Sequence, residues 1–237
     1  MIIAIFGSPQ SGKTTITAEL SAALGLMGKN VLAISALDFA ELDLRYGIRI
    51  PVEHSIMTAI QEPQKIRSCA QEVSENVYCL APSIADSSFN LTFSALQAKT
   101  LYKTVQSIYD IVLVDCTSWK ANALTGIALE MCKRVIFPVP SKVSAVCWYA
   151  ANAQIFSSLE NRATFVLNST IEGFDFDTMR KGLPQVKKEP ICLPYVPQLP
   201  YFESDGKLIF RDKLAGKQVK SFKQSVAALI EGVLKDE

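Results

Sequence analysis

The chain has a single histidine, His54, and its six cysteines include no C-x-x-C pair. A zinc site built from imidazole and thiolate is therefore not expected. The 24 Lys and Arg residues balance 23 Asp and Glu residues, for a net charge of +1. A globally basic nucleic-acid binder would be far more lopsided, so any such contact must come from a local patch. No internal repeat, low-complexity tract or linker interrupts the 237 residues. The opening apolar run, 2–6, is too short for a membrane span and has no basic leader, so neither a signal peptide nor an anchor is expected there. Proline and glycine, 11 of each, are too few for a fibrous or disordered chain.

What is present is apolar material, 49% of the residues, enough for a sizeable core. It falls into short continuous runs at 2–6, 31–35, 77–81, 111–115, 134–139, 163–167 and 191–194. Runs of this length without alternation suit strands buried on both faces of a parallel sheet. Helical patterns lie between them at 13–28, 92–108, 121–132, 143–160, 174–182 and 217–235. The alternation predicts an α/β, doubly wound, mostly parallel sheet of about seven strands with helices on both faces. One domain over 1–237 is expected. Residues 39–75 are the least regular part, and a loop with one or two short helices is expected there. Cys79 and Cys147 sit inside apolar patterns and, like Cys69, Cys116, Cys132 and Cys192, suit a reducing cytoplasm as free thiols.

The first strand runs into Gly7-Ser8-Pro9-Gln10-Ser11-Gly12-Lys13-Thr14, which satisfies G-x-x-x-x-G-K-[ST] at every fixed position. Such a loop turns successive backbone N–H groups inward, and the helix that follows adds its positive N-terminal dipole. Lys13 would span the β- and γ-phosphates, the Thr14 hydroxyl would ligate Mg²⁺, and Thr15 would reach the α-phosphate. A bare strand-turn-helix would need no such pattern. A second acid is then expected at the end of another buried strand, and "YDIVLVDC" supplies Asp115. Its competing role is that of a loop or helix-capping acid before Thr117 and Ser118. Asp110, at the strand's other end, reads as a solvated residue.

These stretches together resemble the ParA/MinD-type ATPases, the P-loop NTPases that position plasmids, chromosomes, division sites and surface machines. "VLAISALDFAELDLRYGI" resembles that family's second strand and first switch, and "VYCLAPS" its third strand. "YDIVLVDCTS" stands where the family has its second switch, and "VIFPVPSKVSAV" resembles the strand and helix start that follow. "FVLNS" is similar to a strand ending in an adenine-reading Asn, which falls on Asn168. "LPYVPQLPYFESDGKLI" resembles the segment flanking the base. Apart from the family, the Asn168 amide offers both a donor and an acceptor to an adenine edge, and "NSTI" lacks the Lys and Asp of a guanine reader. Its other reading is an Asn that ends a strand in a turn.

The resemblance implies Mg²⁺ with ATP or ADP as ligands, a nucleotide-dependent homodimer, and an unidentified protein partner. It breaks at two places. The family carries a lysine that crosses the dimer interface where this chain has Ser8, followed by Pro9 and Gln10. It also tends to place an Asp-x-Asp, whose second acid orients the attacking water, where this chain has Ser35-Ala36-Leu37. Asp38, one step out of register, is the substitute, with Glu41 and Asp43 behind it. One interfacial cation can contribute ~10³–10⁵-fold to phosphoryl transfer, so slow turnover is expected.

A basic stretch, Lys207, Arg211, Lys213, Lys217, Lys220 and Lys223, overlaps an apolar stripe of Val219, Phe222, Val226, Leu229, Ile230 and Val233. DNA-backbone contact or an amphipathic helix on anionic lipid are its functional readings, and a final helix packed on the sheet is the favoured one, because Glu231, Asp236 and Glu237 interrupt the charge. Trp119 and Trp148 read as core or interface residues. The expected activity is a nucleotide-dependent positioning or assembly-localisation factor, of the kind pilus and conjugative machines use. A scaffold that keeps nucleotide without useful catalysis is the alternative. A small-molecule kinase or ligase ranks last, since no acceptor site stands out, and iron–sulfur carriers would need a companion to Cys116. The expected location is the cytoplasm, with peripheral attachment at a membrane left open.

Overall fold

The computed structural model describes residues 1–86, 93–172, 174, 176–183, 186 and 189–235. The strands are β1 (Ile2–Ile5), β2 (Val31–Ser35), β3 (Gln71–Ser74), β4 (Val77–Leu80), β5 (Ile111–Asp115), β6 (Arg134–Pro140), β7 (Ala163–Asn168) and β8 (Ile191–Leu193). The helices are α1 (Lys13–Leu26), α2 (Leu42–Arg45), α3 (Ile56–Gln61), α4 (Ile66–Cys69), α5 (Ala95–Gln106), α6 (Ala123–Met131), α7 (Val143–Ala151), α8 (Ala153–Leu159), α9 (Phe176–Lys181), α10 (Leu199–Ser204) and α11 (Lys217–Leu234).

Among the described residues the strands form one eight-stranded sheet in the order β3-β4-β2-β5-β1-β6-β7-β8. All pair in parallel except β3, which pairs antiparallel with β4. The chain winds outward to both sides of β1, so β1, β5 and β6 flank the point where the winding reverses, the usual place for a ligand crevice. Register then fixes what meets there. Ile5 and Ser35 both stand opposite Asp115, so the ends of β1, β2 and β5 form one row. On the other side Pro140 and Leu193 flank Asn168.

The pleat sorts side chains between two faces. Ile2, Ala4 and Phe6 enter one core cluster with Val112, Val114 and Cys116, beneath α5, α6, α7 and α8. Ile3, Ile5, Ile111 and Leu113 enter the other, beneath α1 and α11. Asp115 shares the face of Ile111 and Leu113, which turns its carboxylate toward α1. The six apolar residues of the α11 stripe are all buried in this second cluster. At roughly 1.5–3 kcal/mol per buried side chain, that stripe is a structural dock on the sheet. Part of its basic flank is likewise tied down. Lys223 donates to the Leu214 carbonyl at 3.0 Å, and Arg211 to the carbonyls of Tyr46 at 2.6 Å and Gly206 at 2.5 Å. Asp236 and Glu237 lie outside the described residues, as does Thr92 at the start of the expected 92–108 helix.

Four differences from expectation have physical causes. An eighth strand, β3, lies in the stretch expected to be irregular; its half-exposed Gln-Glu-Val-Ser sequence has none of the apolar signature of a buried strand. The expected helix over 143–160 is broken at Asn152, which caps α7 and whose side chain donates to the Trp148 carbonyl at 2.8 Å. Residues 39–75 hold three short helices beside β3. Finally, α10 starts inside the proline-rich segment, with Pro200 in its first turn, where a missing N–H costs nothing. No helix among the described residues is long and apolar enough to cross a membrane.

Candidate functional site

Residues 7–12 connect β1 to α1, and Gly12 caps the helix in the left-handed region at φ 85°. A side chain there would be strained, and its Cβ would come within 2.4 Å of Asn168 Nδ2. Gln10 also has positive φ, 56°, an uncommon geometry for a residue with a Cβ. Positive φ at both Gln10 and Gly12 is the kind of backbone geometry from which an anion-binding nest of N–H groups is built. At the exposed tip, Gln10 Oε1 accepts from Lys142 Nζ at 3.1 Å.

Lys13 and Thr14 are both buried at the start of α1. The Lys13 ammonium folds back over its own loop, donating to the carbonyls of Gly7 at 3.4 Å and Ser8 at 3.0 Å and to Ser118 Oγ at 3.0 Å. Burial lowers its pKa, and the nearby Asp115 opposes that by favouring the charged form. Asp115 is fully buried, and neither carboxylate oxygen has a hydrogen-bond partner. Burial pushes its pKa up to about 7, although the Thr14 hydroxyl and the Lys13 ammonium pull the other way. The hydroxyls of Ser8 and Ser11 are also buried without partners. Four of the six unpartnered buried side-chain atoms of the described residues thus belong to this one loop and the acid beside it.

Buried polar groups are almost always paired, so this cluster is a place where water or a bound ligand would complete the pairing. The donor set suits a polyphosphate with a hard cation: inward N–H groups and one ammonium for the anion, a hydroxyl and a carboxylate for the metal. Thr14 and Asp115 are the residues that would hold Mg²⁺, which when bound would offset phosphate charge. No group of three or more His, Cys, Asp and Glu among the described residues is placed to hold a metal by protein ligands alone.

The loop opens into a cavity of about 540 Å³ lined by residues 9–15 together with Leu37, Asp38, Phe39, Glu41, Arg45 and Thr117–Trp119 of the two neighbouring loops. Asp38 is exposed on this rim, and Leu37, where the resemblance puts the water-orienting acid, is half-buried beside it. Ser8 is only 2% exposed and points inward, while Pro9 and Gln10 are exposed. Thr15 borders both this cavity and a second one of about 200 Å³, lined by Ile16, Asn168, Leu193, Tyr195, Leu199, Pro200 and Phe222 among others. That apolar slot beside the phosphate loop has the size and character for a flat ring. Asn168 stands on its wall, but its Nδ2 donates to the Ser11 carbonyl at 3.0 Å. The residue therefore braces the phosphate loop, a role not foreseen for it.

The loops that follow β2 and β5 are joined. Asn122 caps α6 by accepting from Thr125 N at 3.0 Å and donates to the Ala36 carbonyl at 3.3 Å. Trp119, on the same loop, is 76% exposed, and Phe39 is exposed on the facing loop. Two residues at the site escaped the sequence reading, Arg45 and Glu203. Arg45 pairs with Glu41 at 3.2 Å and with Glu203, and Glu203 Oε1 accepts from Thr15 Oγ1 at 2.5 Å. Arg45 lies in the quoted "LDLRYG", and its spacing of four from Glu41 on a helix was the available signal.

The model of a family described as an AAA domain matches residues 2–163. No curated protein matches the chain by sequence. Among solved structures, the chain resembles the septum site-determining protein MinD of Pyrococcus horikoshii OT3, complexed with Mg-ADP, at TM-score 0.80 and 20% identity, covering 100% of this chain and 98% of that one. It resembles a plasmid partition protein of Borrelia burgdorferi B31, bound to AMPPNP, at TM-score 0.77 and 15% identity, covering 98% of each. It also resembles the cell division protein MinD of Aquifex aeolicus, seen there in complex with MinC, at TM-score 0.74 and 19% identity, covering 97% of this chain and 95% of that one.

Proposed function

Because the chain belongs to the AAA-domain family and has the fold of the ParA/MinD-type P-loop ATPases, we propose that it binds Mg-ATP and Mg-ADP at residues 7–15 and uses the bound nucleotide to set its association with a second copy and with a protein partner. The observation that carries this reading is the set of unpartnered buried atoms on Ser8, Ser11 and Asp115 around the Lys13 ammonium. The solved relatives with Mg-ADP, AMPPNP and MinC support the ligand class and the use of a partner. Asn168 and the slot beside it would take the adenine ring. The exposed Trp119 and Phe39 on the two rim loops would meet a second subunit, since exposed aromatics around a ligand-bearing rim favour burial. The role is positioning or localising an assembly, in one domain spanning the chain and in the reducing cytoplasm that its free thiols suit.

Catalysis is the weaker arm of the function. Ser8 presents no cation to a neighbour, Leu37 presents no acid to a water, and Asp38 sits exposed on the rim. Binding with slow hydrolysis follows, and a scaffold without useful turnover is the second reading that these same three residues favour. Titration with ATP and with ADP in Mg²⁺, monitored by calorimetry and by light scattering, tests the main proposal. Nucleotide binding that Lys13→Ala abolishes, with a larger species in ATP than in ADP, is the expected result. Heat-silent titrations of folded protein would refute it. Single-turnover measurement of ATP cleavage separates slow hydrolysis from none.

A further inference from the structure

Arg45 ends α2 with its guanidinium between two carboxylates, Glu41 one turn back at 3.2 Å and Glu203 arriving from α10. The other oxygen of Glu203 accepts from Thr15 Oγ1. One carboxylate thus links the hydroxyl expected at the α-phosphate to a cation on the first rim loop. The same residues form a partition. Arg45 and Glu41 line both the phosphate cavity and an open groove of about 590 Å³ beside it, and Glu203 lines that groove and the base-side slot. Two carboxylates sharing one guanidinium leave excess negative charge at the rim of a cavity whose loop amides and Lys13 attract anions. Position 8, meanwhile, offers only a buried hydroxyl.

We propose that Arg45 is a second phosphate-directed cation of this site, acting beside Lys13 within its own subunit, and that Glu203 restrains it until a triphosphate is bound. The proposal rests on the nucleotide reading above. The planar guanidinium fork matches phosphate oxygens in bidentate geometry, and phosphate carries more charge than Glu203 does. On turning from the groove to the phosphate cavity, Arg45 leaves Glu203, and Thr15 regains its hydroxyl for the ligand. The movement would be shared. Backbone atoms at Gly47 and Gly206, just beyond α2 and α10, pack so closely that a Cβ on Gly206 would fall 2.4 Å from Gly47 Cα. Arg211 also binds the Tyr46 and Gly206 carbonyls together. Only a ligand with different affinity for the two arrangements can shift them, and the γ-phosphate is the group that distinguishes ATP from ADP.

Calorimetric titration with Mg-AMPPNP and Mg-ADP tests this on wild type, Arg45→Gln, Arg45→Lys, Glu203→Gln and Lys13→Ala, each checked by thermal melting. Arg45→Gln should weaken AMPPNP binding roughly ten- to a hundredfold, the range for a lost charged hydrogen bond, while ADP binding changes little. Arg45→Lys should recover part of the loss, and Glu203→Gln should tighten AMPPNP severalfold. Equal weakening of both nucleotides by Arg45→Gln, or no gain from Glu203→Gln, overturns the proposal and makes the cluster a structural strut. If Lys13→Ala abolishes binding and Arg45→Gln does nothing, the Arg45 role alone fails. If wild type binds neither nucleotide, the nucleotide reading and this proposal fall together.

Discussion

The side-chain amide of Asn168 donates to the backbone carbonyl of Ser11 at 3.0 Å, so the end of β7 holds the phosphate loop from a distance of 157 residues along the chain. A residue expected to read a base also holds the loop between β1 and α1 in place. Asn168→Ala should therefore weaken binding of inorganic tripolyphosphate as well as ATP, and lower stability by about 1 kcal/mol for the lost hydrogen bond. A role confined to the base would leave tripolyphosphate binding unchanged, and calorimetry with both ligands decides.

Gly12 is where a single methyl does the most harm. Gly12→Ala meets a positive φ and a contact of 2.4 Å with Asn168 Nδ2, which should cost about 1–3 kcal/mol and abolish nucleotide binding. Urea unfolding and titration with ADP measure the two effects.

Asp115 carries an unpaired buried carboxylate in the free protein, so removing its charge should help folding and hurt function. Asp115→Asn is expected to raise the melting temperature of the ligand-free protein and to erase the Mg²⁺ dependence of ADP binding. The gain comes from no longer holding a charge in a fully buried position, because the asparagine amide remains a buried polar group. A variant less stable than wild type would show that the carboxylate is paired in solution.

Glu19, 2% exposed, sits within α1 and accepts from the backbone N–H groups of Ile209 at 2.9 Å and Phe210 at 3.3 Å. Burial raises its pKa from 4.5 to about 7, with Glu203 and Asp212 adding to the rise. The folded state then binds this proton more tightly than the unfolded state does. Its contribution is fully present below pH 4.5 and is lost as pH climbs through about 7. The expected amplitude is on the order of 1–3 kcal/mol. Chemical denaturation between pH 5 and 8 should show a decline that Glu19→Gln flattens; an unchanged slope in the variant would assign the decline to other groups.

Trp119 offers an intrinsic reporter. Its exposure predicts solvent-like emission in the free protein and a blue shift with ATP that grows with protein concentration, as burial between subunits requires. A shift independent of concentration would mean the loop closes within one subunit.

Much of this site is legible in sequence because its parts are local or punctuated by the sheet. The phosphate loop is a run of eight residues whose backbone demands glycine at fixed places, and Asp115 ends an apolar run that only a buried parallel strand explains. The cores of the seven expected strands are found, with ends shifted by a residue at most. Strand β3 escapes because it is a polar edge leading into a tight turn at Asn76, whose φ is 63°. Arg45 and Glu203 escape for another reason. They are 158 positions apart and meet only because α2 and α10 are brought together by the fold, which no period or motif encodes. The brace from Asn168 to Ser11 is hidden in the same way, since one amide serves two purposes.

The outer margins of the sheet also limit how copies of this chain can combine. At one margin β3 runs against its neighbour with a register shift between Glu72 and Ser74, and at the other β8 is only three residues long. Neither offers a long, regular row of free amides for lateral growth by strand addition. Growth of a continuous sheet from copy to copy is therefore opposed at both margins, and any contact between copies has to be made by side chains.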